Sequence, residues 1–288
     1  MTVENGELSF DFPAGPDELT VAHVAGFYDA HGRKLDDEAA EIEQLEDATD
    51  KEIRQAFWVL ERAFSLLSFF AGISIEEAKQ RFTIQEAQRI ATGYDSAFAN
   101  PPEEPAATVD WQQMWVLPPP YLAQDSAMTF GEFIDSKAKE QEAQITKCSR
   151  WYLIQQVAAI FLRAEGEAYD ESLLYPGSQR VALMGTLPIR HALHVAVWFE
   201  KFNAFVQNHF ALFAPSDSKT GHHMKNHMDK WGWVNLLKTV AKAKVFDRPA
   251  SDLDSVKCAR LAKAFDVLLY ASEEKDYSDA MNRDMKTL

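Results

Sequence analysis

The sequence predicts a mainly α-helical protein, several helices packed around one central apolar helix, with one or two short strands near 8–12 and 111–117. Three observations predict it. Apolar residues recur at three- and four-residue spacing over most of the 288 positions. The stretch 188–213, PIRHALHVAVWFEKFNAFVQNHFALF, is apolar on nearly every side around Val195–Phe199 and so requires protein all round it. Two alternating apolar–polar runs are short and stop at proline: LSFDF before Pro13 and WQQMWVL before Pro118.

Taken in order, Leu8–Phe12 reads as an edge strand and Thr20 as the cap of a short helix through about Tyr28. Asp36–Thr49 is acid-rich and poor in apolar residues, which suits a solvated helix or a connection. Lys51–Ala71 is a strong helix in which Ile53, Phe57, Leu60, Phe64 and Leu67 recur at three- and four-residue spacing, closed by Gly72. Ser74 with Glu77 forms a capping box for the next helix, and Ile84–Tyr94 is another.

Ala97–Ala107 carries three prolines and reads as a linker or surface loop. It would divide an N-terminal helical module, 1–96, from a main helical domain, 108–288, unless the whole is one domain. Trp111–Leu117 follows as the second strand, and the two strands are candidates to pair. Thr129 and Glu132 make a capping box that turns Phe130, Phe133 and Ile134 inward. A polar stretch, Ser136–Lys147, leads to an apolar helix at Trp151–Leu162. Pro188 suits the first position of the central helix, where its missing N–H has no partner to lose. Leu193, Val197 and Phe202 are its expected core residues.

Beyond Pro215 comes a polar link, then an amphipathic helix at Trp231–Val245 and another at Asp254–Leu269. The tail Ser272–Leu288 is expected to fray. One internal echo stands out: Pro16–Ala30 resembles Gln124–Ala138, each with a Pro-ended strand upstream and an apolar–Thr step into a helix. Shared capping chemistry and a duplication both account for it.

Composition narrows the partners. A net charge of −15 opposes broad binding to nucleic acid or an anionic membrane, which need a positive surface. The charge is uneven, with 15 acidic and three basic residues from Glu4 to Glu52, against four acidic and ten basic from Lys219 to Lys263. Cys148 and Cys258 lie in apolar helical patterns, as buried reduced thiols would, and the acidic N-terminus lacks a signal-peptide core. These features fit the cytoplasm. The longest apolar run, Phe64–Ile73, is half a membrane span.

Candidate chemistry is sparse. His223 and His227 share a face at the i, i+4 spacing of zinc ligands, with His222 beside them, but no cysteine or patterned carboxylate completes a set. His191 and His194 lie three apart on the first turns of the central helix, where an acid–base pair and core histidines look alike. Glu200 needs a cationic partner, Lys201, Arg190 or Arg163, or exposure to water. Trp231 and Trp233 amid lysines could stack on bases, though at a helix start they anchor to a core. No phosphate loop, dinucleotide glycine pattern or nucleophile elbow is present, so no catalytic residue and no cofactor are assigned.

The order of Phe10–Pro13, Leu19-Thr20, LLSFFAGISIEEA (Leu66–Ala78) and MTFGEFID (Met128–Asp135) resembles tail assembly chaperones of tailed phages and prophages. WFEKFNAFVQNHFALF (Trp198–Phe213), KWGWVNLLKTVAK (Lys230–Lys242) and FDVLLYASEEKD (Phe265–Asp276) fit the same pattern. The resemblance implies a non-catalytic accessory protein that binds apolar helical segments of a tape measure-type tail protein. The acidic Glu4–Glu52 region departs from the pattern and leaves the binding face unassigned. A composition of 19 Phe, 8 Tyr and 7 Trp can fill a core and still line a groove for a partner helix. A virion structural subunit and a histidine-dependent metalloenzyme are the alternatives.

Overall fold

Thr20 shows how the helices are started. Its side chain accepts the His23 N–H while the His23 Nδ1 accepts the Thr20 N–H, a reciprocal cap that opens helix α1, Val21–Phe27. The computed structural model describes residues 2–5, 8–13, 17–121, 127–174, 178–209, 236–242 and 256–287. The protein is mainly helical.

Two compact units divide the chain. The first holds Met1–Glu103, Lys147–Gln155 and Ala182–His194; the second holds Glu104–Thr146, Gln156–Val181 and Val195–Leu288.

In the first unit, β1 (Thr2–Asn5) and β2 (Leu8–Asp11) form an antiparallel hairpin. Helix α1 passes through a π turn at Tyr28–Gly32 into α2, Arg33–Glu43, so the acid-rich stretch is helical as far as Glu43 and then a short connection at 44–47. Gly32 has a packing reason, since a Cβ there would meet the Tyr28 ring at 2.6 Å. Helix α3 spans Ala48–Ala71, capped by Asp47 through bonds of 2.8 and 2.9 Å from Thr49 and Asp50. Gly72 ends it at φ +67°, in the left-handed region where a side chain is strained. Helices α4 (Ile75–Arg81) and α5 (Ile84–Ser96) pack on α3. Phe12, Phe27, Phe69, Phe70 and Tyr94 form an aromatic cluster at its core.

In the second unit, β3 (Thr108–Trp111), β4 (Gln113–Val116) and β5 (Arg163–Ala164) form an antiparallel sheet in that order. The run expected to be one strand at 111–117 is therefore a hairpin, turned by Gln112 at φ 57°. Nor do the two sequence-predicted strands pair with each other. Residues 8–11 take their partner from 2–5, and 113–116 from 108–111 and 163–164.

Helix α6 runs through Phe130–Thr146, so the polar stretch after Ser136 is its solvated continuation. Helices α7 (Arg150–Phe161), α8 (Gln179–Gly185) and α9 (Ile189–His209) each contribute residues to both units. Pro188 lies one step outside α9, and its carbonyl accepts the Ala192 N–H at 3.0 Å. Phe202 is fully buried, stacked on Trp198 at 5.2 Å with Phe133 and Phe161 against it. Leu193 and Val197, expected in the core, are only half-buried, because the described part of α9 keeps a wetter side. Residues 210–213 lie outside the described residues. The predicted helix at 231–245 is seen at 236–242. The last helix, α10, runs Leu261–Thr287, so the tail expected to fray continues the helix.

The internal echo has a backbone counterpart. In the first unit, Thr20 bridges Pro188, Val21 N–H donates to the Leu187 carbonyl, and Ile189 N–H donates to that of Leu19. In the second, Thr129 bridges Arg260, Phe130 N–H donates to Ala259, and Leu261 N–H donates to Met128. Each threonine caps one helix and ties it to the residue just before another. Capping chemistry alone does not require that second tie, so the likeness extends beyond shared caps.

Candidate functional site

Helix α3 carries the most distinctive surface in the first unit. Its stripe Ile53, Phe57, Leu60, Phe64, Leu67 keeps one face of the helix, as the spacing requires. The C-terminal half does what the sequence predicts, with Phe64 at 4% exposure and Leu67 at 0%. The N-terminal half does not. Ile53 is 50% exposed and Phe57 68%, so the apolar spacing runs on into a half of the helix that water reaches. The reason is length. At ~1.5 Å per residue α3 spans roughly 36 Å, and α4 and α5, with 7 and 13 residues, are much shorter.

Helix α2 lies beside this open half. Trp58 Nε1 donates to the Leu35 carbonyl at 2.8 Å and Lys51 Nζ to the Glu43 carbonyl at 3.2 Å, so α2 and α3 run antiparallel. Those bonds occupy the side of α3 bearing Lys51 and Trp58 and leave the Ile53–Phe57 side outward. A ring and a branched chain held in water are unfavourable unless something covers them.

The second unit has a different centre, a buried group of charges. Glu132 has no exposed surface, pairs with Arg163, and accepts the Thr129 N–H at 2.5 Å. The Arg163 guanidinium lies 5.6 Å over the Tyr169 ring, and burial lowers its pKa, with neighbouring Glu167 opposing that shift. The Tyr169 hydroxyl donates to Asp135, whose carboxylate also lies 4.0 Å from the Lys257 ammonium. Arg180 donates to both Glu167 oxygens at 3.0 and 3.1 Å and to the Leu162 carbonyl at 2.6 Å, with the Trp115 ring 4.7 Å away. Each of these carboxylates faces a cation or a donor, which clamps α6, the segment after β5 and the approach to α10 together. Removing one partner would strand the other in a poorly solvated site.

Compared with known protein families, curated proteins and solved structures, the chain matches none.

The residues singled out in the sequence fall in several places. His222, His223 and His227 lie outside the described residues, as do Trp231 and Trp233. Among the described residues no group of three or more His, Cys, Asp or Glu is placed to hold a metal ion, and no single helix is long and apolar enough to cross a membrane. His191 and His194 are half-buried, with the Arg190 Nε–H donating to His191 Nε2 at 3.0 Å. Glu200 is exposed, and among its candidate partners Lys201 pairs with Glu104, Arg190 with Asp17 and Arg163 with Glu132. The thiols expected to be buried are not. Cys148 is half-buried and Cys258 exposed, neither in a disulfide, because both lie at helix approaches rather than on inner helix faces.

The open half of α3 and the Glu132 centre were missed by sequence reasoning. The periodicity of α3 is uniform along its length, so only the polar residues around its first apolar positions, Lys51, Glu52, Arg54 and Gln55, hinted at water on that half. The sequence marked Glu132 as a cap but gave no sign of Arg163, 31 residues later.

Proposed function

We propose that this protein is a non-catalytic accessory factor of phage tail assembly, which binds apolar helical segments of a tape measure-type tail protein. The carrying observation is that well-formed helices present large apolar side chains to water. Ile53 and Phe57 do so on α3, and Tyr270, Tyr277 and Met281, at 67%, 69% and 46% exposure, do so on α10. Surfaces of this kind suit helix-in-groove recognition, in which i, i+4 and i+7 side chains anchor the partner. A net charge of −15 keeps a chain with such surfaces in solution. The order of sequence elements resembling tail assembly chaperones supplies the identity of the partner.

Co-expression with the tape measure protein of the same genome tests this role. The tape measure is expected to be recovered in the soluble fraction, in complex with this chain. A tape measure equally soluble alone, with no complex recovered, overturns the proposal in favour of a virion structural subunit.

A further inference from the structure

The open half of α3 has a strongly acidic end. From Asp36 to Glu52 there are nine acidic residues and one basic, Lys51. Asp36, Asp37, Glu41, Glu43, Glu46, Asp47, Asp50 and Glu52 are all exposed. Lys51 bonds the Glu43 carbonyl, Arg33 pairs with Asp29 and Lys34 with Glu38, and with exposed Arg54 beside Ile53 the balance from Asp36 to Arg54 is still nine acidic against two basic. Asp50 lies three residues before Ile53 and seven before Phe57, so it shares their side of the helix at the end where Glu43, Glu46 and Asp47 gather. Farther along the stripe the charges balance, with Glu61 paired to Lys79. The surface therefore joins a two-turn apolar stripe to an unbalanced negative field.

We infer that Ile53, Phe57 and Leu60 form a docking site for a cationic amphipathic helix, whose apolar stripe covers these three side chains and whose lysines or arginines lie toward the Glu43–Glu52 end. This inference rests on the helix-binding role proposed above and names its surface and its partner's chemistry. A helix rimmed with carboxylates would meet like charge, and an uncharged one would leave the acidic field unanswered. Opposite charge raises the rate of encounter and selects among helices of equal apolar content.

The test uses the full-length protein and two synthetic peptides about 18 residues long, with leucines at i, i+4 and i+7, one rimmed with Lys and Arg and the other with Glu. The cationic peptide is expected to bind about tenfold or more tightly than the acidic one at about 0.05 M salt, the gap narrowing at about 0.5 M as the charges are screened. Phe57→Asp is expected to weaken cationic binding at least about tenfold. It makes the surface more acidic, so indiscriminate charge attraction would leave binding unchanged or tighter. Phe57 is largely exposed, so the variant keeps its fold, and Ile53→Asp serves as the second variant.

Equal binding of the two peptides, absence of binding, or undiminished binding to both variants overturns the inference. Recovery of the tape measure complex with Phe57→Asp would also overturn it while leaving the assembly role standing. Selective peptide binding with no tape measure complex would do the reverse.

Discussion

His23 ties one side chain to solution conditions. Its Nδ1 accepts the Thr20 N–H at 3.3 Å, which only an unprotonated nitrogen can do. Burial lowers its pKa from the ordinary histidine value. The folded protein therefore resists protonation at this site while the unfolded chain takes a proton near pH ~6.5. Stability from the neutral imidazole is fully present above that pH and is lost as the pH falls toward the lowered folded value. Urea unfolding followed from pH 7.5 to 5 is expected to show stability declining through this window, with a shallower decline in His23→Gln. Equal slopes in both proteins would exclude His23 as a contributor.

Helix α9 makes the element-scale case. In the second unit Val195, Phe199, Phe202 and Val206 hold one stripe, all at 5% exposure or less, with Trp198 stacked on Phe202. Its rings meet Phe161 from α7 and Phe133 from α6, and Phe133 in turn meets Phe265 from α10 at 4.9 Å. Phe202→Ala removes the ring where three others converge and is expected to cost about 3–5 kcal/mol in chemical unfolding. A loss below about 1 kcal/mol would put the centre of this packing elsewhere. Helix α3 gives the contrast, because the same periodicity buries one half and leaves the other wet. Its caps, Asp47 and Gly72, were set by local chemistry, and only Gly72 was named from the sequence. Its exposure was set by the length of its neighbours.

At the scale of the whole chain, the first unit draws on segments distant in sequence. Leu19 and Val21 exchange backbone bonds with Leu187 and Ile189, and Phe98 packs on Trp151 at 5.4 Å. Leu187, Ile189 and Ala192 are completely buried. A fragment ending at Glu103 lacks all of these. It is expected to lose the cooperative urea transition that the full chain shows, because burying each large apolar side chain contributes roughly 1.5–3 kcal/mol. A fragment that unfolds as cooperatively as the full chain would show that the N-terminal region is self-sufficient.

The sequence by itself determined what depends on near neighbours. Helix periods, the caps at Thr20, Ser74 and Thr129, the stop at Gly72 and the proline-ended strand at Leu8–Asp11 follow from spacing and hydrogen-bonding groups within a few residues. Tertiary structure decided everything requiring a distant partner. It paired Thr108–Trp111 with Gln113–Val116 in a hairpin flanked by Arg163-Ala164, buried Glu132 by supplying Arg163, and left Phe57 outside while burying Phe64 two turns further along the same stripe. A pattern states which face of a helix is apolar; whether that face is covered depends on how far the neighbouring elements reach.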